Sequence, residues 1–305
     1  MNSCQWNPAE YAANSAVQQS WARELIARLH LRGDEHVLDV GCGDGKVTAE
    51  IARAVPRGRV LGVDASPEMI MYAQKTFPPA KNANLIFQIC DARKIGLAAG
   101  APPSPALAEQ AAARSPTVSK SKPLAPHLSP LGRGEVEAGG IFDLYFSNAA
   151  LHWVDDHAAV LRGAAAVLKP GGRLAISCGG KGNAHDVFLA LRPELRLRRW
   201  RGFFRQLPAP YFFYSPDDYQ KWLPQFRFKT NALKLIPKDA VYAGAEGLAT
   251  WLRTTWLPYV QRVPENQRAD FIAAVTRRYL AKHPPDAEGN VHVRMVRLEI
   301  DAVKD

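Results

Sequence analysis

The chain has 305 residues, of which 47% are hydrophobic and 22% are charged. This is the mixture of an ordinary globular protein with a sizeable core, and it excludes a collagen, a coiled coil and a wholly disordered chain. No apolar run approaches the roughly 18 residues of a membrane helix, and the N-terminal residues show no secretory signal. The four cysteines are scattered, without the paired spacing of a zinc site or a disulfide framework. We therefore expect a cytoplasmic protein that binds no metal and no membrane.

The net charge of +10 favours anionic partners. Much of the excess lies between Ala190 and Gln206, which hold a single acid, Glu194, and six arginines: Arg192, Arg196, Arg198, Arg199, Arg201 and Arg205. By charge alone, nucleic acid, a membrane surface, an acidic protein and a small polyanion all remain open as partners. A solvated basic helix face is the simplest alternative.

The first third of the chain alternates between helical and strand patterns. An amphipathic helix is predicted first, and each later strand is followed by a helix or a turn. Ser66 is predicted to cap one helix, with Pro67 at its first position. The predicted elements are a helix at 11–29, a strand at 35–40, a helix at 45–55, a strand at 59–64, a helix at 66–75 and a strand at 84–90.

Residues 97–140 differ from the rest of the sequence. This stretch of 44 residues has seven prolines and no aromatic residue. Such a segment buries too little apolar surface to offset the entropy of ordering it. The composition therefore predicts a disordered low-complexity insertion on the surface of a folded domain.

The alternation resumes after the insertion and then changes character. Strands are predicted at 142–147 and 173–177, on either side of a helix at 155–168. Residues 184–226 are rich in Arg, Pro and aromatics, and beyond them we expect a strand at 228–236, helices at 247–257 and 265–281, and a half-exposed edge strand at 291–300. Alternating strands and helices indicate an α/β fold with a parallel sheet covered on both faces.

The most informative segment runs from Val37 to Gly45 and reads as a strand, a loop of three glycines and the start of a helix. Glycines at such a turn allow backbone amides to approach a ligand at the positive end of a helix. The dinucleotide-binding pattern requires a glycine where this chain has Lys46. Asp39, two residues before the first glycine, is placed to face the ammonium of a ligand that carries an amino acid.

Acids also close the next two predicted strands. Asp64 ends the second strand, where a carboxylate can accept hydrogen bonds from the two hydroxyls of a ribose. Asp91 ends the third strand, where it can accept from an adenine amino group while Ala92 offers its backbone amide. In open α/β sheets, ligands bind at this edge.

These motifs resemble those of the class I S-adenosylmethionine-dependent methyltransferases. The segment from Leu38 to Gly45 is similar to the family's first motif, and Leu168 to Leu174 to the motif before its fifth strand. The resemblance implies a Rossmann-like, mostly parallel seven-stranded sheet with an antiparallel last strand, plus a helical substrate cap. It implies S-adenosyl-L-methionine as cofactor, held by Asp39, Gly41, Cys42, Gly43, Gly45, Asp64, Ala65, Met69, Asp91, Ala92 and Asn148.

The same resemblance divides the chain. A cofactor-binding core is expected over residues 1–183, including the insertion. A substrate cap follows over 184–290, with one core strand near 228–236, and the final core strand occupies 291–305.

Sequence after the fourth strand bears on the methyl acceptor. The N-P-P-Y/F motif of base and amide N-methyltransferases is missing, and so is the Pro-Cys pair of pyrimidine-carbon methyltransferases. Leu151-His-Trp153 and Gln18 resemble a group that esterifies carboxylates: trans-aconitate, juvenile-hormone-acid and malonyl-carrier-protein methyltransferases. The resemblance makes Gln18 and Trp153 donors to a substrate carboxylate. His152 is either a packing residue or a base for a hydroxyl or amine.

The C-terminal part is most similar to the trans-aconitate group, through Trp251 to Pro258, Pro284 to Gly289 and Arg297-Leu-Glu299. The chain departs from that group at Arg253-Thr-Thr-Trp256, where the group is glycine-rich. Arg253 and the arginines at 192–205 are candidates for binding an anion. We expect an enzyme that methylates the carboxylate of a small organic acid. The alternatives are a carrier-protein-bound acid, another small-molecule acceptor, RNA and a binding module that keeps the cofactor pocket without catalysis.

Overall fold

The computed structural model describes residues 5–96 and 140–305. Of the insertion predicted over residues 97–140, all but Gly140 lies outside the described residues. The prediction of disorder for that segment therefore stays a prediction.

The described residues form one seven-stranded sheet with the order β3-β2-β1-β4-β5-β7-β6. Strands β1 to β5 pair in parallel, whereas β7 is antiparallel to both of its neighbours. This confirms the predicted Rossmann-like α/β fold with an antiparallel last strand. The strands are β1 (His36–Val40), β2 (Arg59–Asp64), β3 (Leu85–Ile89), β4 (Phe142–Asn148), β5 (Leu168–Gly179), β6 (Phe228–Ala243) and β7 (Asn290–Lys304).

Helices cover both faces of the sheet and build a separate layer beyond its carboxyl edge. In the described part of the chain they are α1 (Pro8–Asn14), α2 (Ala16–Ala27), α3 (Lys46–Ala54), α4 (Pro67–Thr76), α5 (His157–Val167), α6 (His185–Arg196), α7 (Pro216–Trp222), α8 (Gly244–Thr255), α9 (Leu257–Val260) and α10 (Glu265–Leu280). Two short 3₁₀ turns, Ala92–Lys94 and Leu151–Trp153, follow β3 and β4.

Local signals in the sequence account for several helix boundaries. The Ser66 hydroxyl accepts a hydrogen bond from the Met69 amide, and Pro67 occupies the first turn of α4, as predicted. The single helix predicted over residues 11–29 is instead two helices, because the chain breaks at Ser15 between α1 and α2. After the break the two helices pack separately, α1 against α4 and α8, and α2 against α3 and β5.

The prediction of a half-exposed edge strand at 291–300 is wrong. Strand β7 lies inside the sheet between β5 and β6, and β6 is the edge strand. The error arises from Arg297 and Glu299, which read as solvent-facing positions in an alternating pattern. Both side chains are instead buried beneath α2, where they form an ion pair with each other. Strand β6 is also longer than the predicted 228–236.

A second hydrophobic cluster lies beyond the main core. It joins α6, α8, α9 and α10 to the first half of β7, around Trp251, Trp256, Phe271, Tyr279 and Val293. The second half of β7 packs in the main core through Leu298, Ile300 and Ala302. The division into a core at 1–183, a cap at 184–290 and a last strand at 291–305 remains a prediction, and β7 contributes to both clusters.

Among residues 5–96 and 140–305, no helix is long and apolar enough to cross a membrane.

Candidate functional site

The glycine loop between β1 and α3 is held in shape by its own backbone. The amides of Gly41 and Cys42 both donate to the Val63 carbonyl, at 2.7 and 3.0 Å. The Gly43 amide donates to Oδ2 of Asp64 at 3.0 Å, and that of Gly45 to the Cys42 carbonyl. We expected these amides to approach a ligand, but they are used inside the loop. The loop therefore differs from a phosphate cradle, in which backbone N–H groups point at the anion.

The three glycines serve different purposes. All have positive φ, which disfavours other residues. A Cβ on Gly41 would lie 2.1 Å from that of Ala150, and one on Gly45 would lie 2.7 Å from the Phe87 ring, so both sites require close packing. A Cβ on Gly43 would meet only Tyr11, at 3.9 Å. The space at Gly43 is therefore open for a ligand.

A first cavity, which we call the loop cavity, lies between the glycine loop, α1 and the start of α2. Of the predicted cofactor residues, its lining includes Asp39, Gly41, Cys42, Gly43 and Asn148. It does not include Gly45, which caps α3, nor the residues that follow β2 and β3 or belong to α4: Asp64, Ala65, Met69, Asp91 and Ala92.

Asp39 is a buried acid beside the loop cavity. Its Oδ2 accepts a hydrogen bond from the Thr48 hydroxyl of α3 at 2.7 Å. Burial raises the pKa of Asp39 to about 7, an effect that the Thr48 bond opposes and the charge of Asp64 increases. The carboxyl group therefore changes its charge near neutral pH unless a cation binds to it. The sequence revealed Asp39 but not Thr48, which reads as an ordinary helix position.

Asp64 ties β2 to the glycine loop. Its Oδ2 accepts from the Gly43 amide and its Oδ1 from the Ser66 amide at 2.9 Å. Burial raises the pKa of Asp64, and these backbone bonds oppose the rise. The carboxylate thus fixes the loop and the start of α4 while it keeps lone pairs for a further partner.

Asp91 is engaged by an arginine that the sequence reading did not consider. Arg93 holds both oxygens of Asp91, at 3.0 and 2.6 Å, and also reaches Asp155 at 2.8 Å. The Arg93 guanidinium lowers the pKa of Asp91. The neighbouring Ala92 is half-buried, Ala65 is exposed, and Met69 is buried in α4.

A second cavity, which we call the aromatic cavity, adjoins the first and encloses about 120 Å³. Tyr11, Gln18, Asn148 and Ala149 line both cavities and mark their junction. Ala149 has a φ of 56°, which is strained for a residue other than glycine. The rings around the aromatic cavity are those of Trp6, Tyr11, Trp21, His152, Trp153, Tyr211, Phe213, Trp251 and Trp256.

His152 and Trp153 lie in the short turn after β4. Nδ1 of His152 accepts a hydrogen bond from the Gly179 amide at 3.3 Å, which leaves the ring proton on Nε2. Burial, with a smaller contribution from His157, lowers the pKa of His152 to about 4. The Trp153 ring packs edge-on against Trp6 and Tyr211, at 5.4 and 4.8 Å. His152 is therefore a neutral hydrogen-bond donor at physiological pH.

Gln18 and its neighbour Gln19 have separate environments. Gln19 donates to Glu50 at 2.5 Å, away from the aromatic cavity. Gln18 lines both cavities, and its backbone carbonyl accepts from Asn148 Nδ2 at 3.2 Å, which joins α2 to β4. Gln18, Asn148, His152 and Trp153 all line the aromatic cavity, and their roles in binding or catalysis stay predictions.

Buried polar atoms without partners concentrate at the aromatic cavity. Six such side-chain atoms occur in the described part of the chain, and three belong to residues that line this cavity: Gln18 Oε1, Ser177 Oγ and Arg297 Nε. Arg297 is the buried cation of the lining. The sequence reading favoured other arginines, but neither Arg253 nor those at 192–205 line the aromatic cavity, and Arg253 pairs with Glu10 instead.

No group of three or more His, Cys, Asp or Glu side chains within the described ranges is arranged to hold a metal ion.

Comparison with known proteins identifies the family. A model of the methyltransferase domain matches residues 13–232. Trans-aconitate 2-methyltransferase of Paracidovorax citrulli is 28% identical over 97% of this chain and 97% of its own length. An uncharacterized methyltransferase of Schizosaccharomyces pombe, C70.08c, is 27% identical over 82% of this chain and 79% of its own length.

Solved structures agree on the fold. The YcgJ protein of Bacillus subtilis superposes with a TM-score of 0.53 at 16% identity, covering 93% of this chain and 97% of that one. Phosphoethanolamine N-methyltransferase 2 of Haemonchus contortus, solved with S-adenosylhomocysteine, gives a TM-score of 0.50 at 16% identity over 93% of this chain and 52% of that one. The family model covers more than half of the chain, and the sheet has the order and direction that its motifs imply. The chain belongs to the class I methyltransferases, enzymes that use S-adenosyl-L-methionine as their cofactor.

Proposed function

We propose that the enzyme transfers a methyl group from S-adenosylmethionine to the carboxylate of a small organic acid in the aromatic cavity. The observation that carries this proposal is the hydrogen bond from the Gly179 amide to His152 Nδ1, which occupies the lone pair that a catalytic base would need.

The loop cavity suits the cofactor. The cofactor carries an ammonium and a sulfonium, and these cationic groups are bound better by carboxylates than by backbone amides. The loop cavity offers the carboxylate of Asp39, whereas the loop's amides are already hydrogen-bonded within the protein. Asp39 would hold the ammonium and Asp64 the ribose hydroxyls, with Gly43 leaving room between them. Asp91 and Ala92 would contact the adenine, and Gly45, Ala65 and Met69 would shape the wall around it.

The aromatic cavity suits an acceptor that is already a nucleophile. A hydroxyl or amine acceptor must lose a proton, which requires a base within reach. The cavity lining has no Asp, Glu or Lys side chain among the described residues. Burial raises the pKa of Tyr11, and it raises that of Cys178 to about 12, so neither accepts a proton near neutral pH. A carboxylate needs no base, because its pKa of about 4 leaves it ionised.

Donor groups line the aromatic cavity, and one of them, Gln18, lies at its junction with the loop cavity. The Trp153 indole has only an N–H to offer, and His152 carries its proton on Nε2. The side-chain oxygen of Gln18 has no hydrogen-bond partner. The oxygen and nitrogen of an amide are alike in shape, so a flip of this side chain would put an N–H donor in the place of the oxygen. These groups would orient the carboxylate so that one oxygen faces the methyl group in line with its leaving group.

Charge and hydration favour the transfer. The cofactor supplies a methyl group on a positively charged sulfur, and attack by a carboxylate cancels both charges. Aromatic rings around the acceptor exclude water, which would otherwise solvate the carboxylate and weaken it as a nucleophile. Names of relatives agree with an acid substrate, since several, including one from Paracidovorax citrulli, are trans-aconitate 2-methyltransferases. They give no support to a carrier-protein partner.

The test is incubation with methyl-labelled S-adenosylmethionine and a set of small organic acids that includes trans-aconitate. We expect a labelled ester that mild base hydrolyses to methanol. Amides of the same acids serve as matched controls and should take no label. Malonyl-carrier protein, small alcohols and amines, and generic RNA are assayed in parallel. Base-stable label on an alcohol, an amine or RNA, without any ester, would contradict the proposal.

A further inference from the structure

Arg297 and its neighbours form a charged group under α2 that the methyl transfer itself does not require. Arg297 pairs with Glu299 and with Glu24 at 3.3 Å, and one of its amino groups donates to the Trp21 carbonyl at 3.3 Å. Arg28 pairs with Glu299 at 2.7 Å and Lys238 with Glu24 at 2.7 Å. We call these three cations and two acids the Arg297 cluster.

The Arg297 cluster carries a formal charge of +1, since three cations face two carboxylates. Arg28, Lys238 and Glu24 keep contact with solvent, whereas Arg297 and Glu299 are 3% and 5% exposed. The buried pair is neutral by itself, and the excess positive charge lies on the side of the cluster that reaches solvent. One additional carboxylate would neutralise the cluster.

A ligand would reach the cluster through unpartnered atoms. Nε of Arg297 has no hydrogen-bond partner, and neither has Oγ of Ser177. In the pairing of β5 with β7, Ser177 lies opposite Glu299 and Gly179 opposite Arg297. Ser177 and Arg297 are therefore diagonal neighbours on one face of the sheet, roughly 7–8 Å apart at the backbone and within reach of one carboxylate. Leaving each group unpaired is unfavourable, and a bound anion would supply the missing hydrogen-bond partner.

The position of this pair relative to the methyl group follows from the sheet. Asn148 on β4 is in register with Ser177 on β5, so the junction of the two cavities lies one strand from Ser177 and two strands from Arg297. Two strand spacings are roughly 10 Å. A carboxylate at the junction and a second group at Arg297 thus belong to one short molecule.

We propose that Arg297 and Ser177 form a second carboxylate-binding subsite, which selects acids that carry one carboxylate at the junction and another a few carbons away. This proposal rests on the proposed function for the identity of the reacting group. Arg297 contacts the carboxylate that does not react, so it determines specificity and takes no part in the transfer.

The experiment compares fumarate with crotonate, which has the same four-carbon trans skeleton but a methyl group in place of the second carboxylate. Calorimetry measures the binding of each to the protein saturated with S-adenosylhomocysteine. We expect fumarate to bind at least about 10-fold more tightly, since a hydrogen bond to a charged group is worth about 1.5–3 kcal/mol. Equal affinities for the two acids would overturn the subsite.

Variants locate the effect. Arg297→Lys keeps the charge that Glu299 and Glu24 require but removes the Nε donor, so fumarate should lose about 10-fold in affinity and crotonate should be unaffected. Ser177→Ala, which removes one oxygen atom, should weaken fumarate alone by a smaller factor. Arg294→Lys is the matched control and should leave both affinities unchanged, because Arg294 lies on the same strand but pairs with Asp186 and lines neither cavity. Equal losses for both acids in both subsite variants would overturn the proposal.

The two proposals fail separately. If fumarate binds tightly through Arg297 but no acid is converted to an ester, the proposed function is wrong and the subsite stands. If both acids are esterified with equal affinity and efficiency, the subsite is wrong and the proposed function stands.

Discussion

Protonation of Asp39 should control the binding of the cofactor. Its pKa of about 7 in the ligand-free protein results from burial, and only the ionised form attracts an ammonium. The ionised fraction is about 90% at pH 8 and about 10% at pH 6, so affinity should fall about ninefold over that range, or about 1.3 kcal/mol. Because the folded-state pKa lies above the ordinary value of 3.8, ionised Asp39 destabilises the ligand-free fold as pH rises from about 4 to 7.

Calorimetry with S-adenosylhomocysteine between pH 6 and 8 measures this dependence, and its repetition at pH 7 in buffers of different ionisation enthalpy should reveal the release of about half a proton. Thr48→Val removes the hydroxyl that stabilises the carboxylate and should shift the midpoint to higher pH, whereas Thr48→Ser should not. Asp39→Asn should bind weakly and without pH dependence. Unchanged affinity in wild-type protein from pH 6 to 8, or full affinity in Asp39→Asn, would refute the reasoning.

Three further outcomes are expected. Burial lowers the pKa of both His152 and His157 to about 4, against 6.5 in the unfolded chain. The free energy of unfolding should therefore fall as the pH drops from 6.5 to 4, by up to about 3 kcal/mol for each histidine. Thermal melting over this pH range measures the loss, and a constant melting temperature would contradict it. Gly41→Ala should prevent folding or lower the melting temperature strongly, because its Cβ would overlap that of Ala150; an unchanged melting temperature would contradict the close packing. Trp153→Phe keeps the ring but removes the N–H, so esterification should slow by about 10-fold to 100-fold while cofactor affinity, measured by calorimetry, stays constant; an unchanged rate would remove Trp153 from the site.

The sequence predicted the fold because its strongest signals are local. The glycine loop, the Ser66 cap and the alternation of buried strands with helices each depend on neighbouring residues, and each has its predicted place in the structure. The acids Asp39 and Asp64 could likewise be found from their positions at strand ends. What the sequence could not reveal is that the loop amides are already paired with Val63 and Asp64, since those contacts cross from one strand to the next.

The charged residues of β7 show a different limit. In sequence, Arg297 and Glu299 alternate with apolar residues and therefore indicate a solvent-facing edge. They are buried because α2, more than 250 residues earlier in the chain, covers them and supplies Glu24 and Arg28 as partners. The sequence did contain a signal of this burial, because Arg297 and Glu299 have opposite charges and lie two positions apart on a strand, where their side chains can pair. The arginine-rich segment at 192–205 attracted attention instead because local charge density is easy to see.

Helix α2 contributes to both cavities, and this has a thermodynamic consequence. Gln18 lines both, Gln19 borders the loop cavity, and Trp21 borders the aromatic cavity and packs against Arg297. A ligand in either cavity restrains the same turn of helix. Whatever factor the cofactor adds to the affinity for the methyl acceptor, the acceptor must add to the affinity for the cofactor. In the proposed reaction the ester would lack the charge that the carboxylate brought, so methyl transfer would weaken this mutual support and favour release of both products.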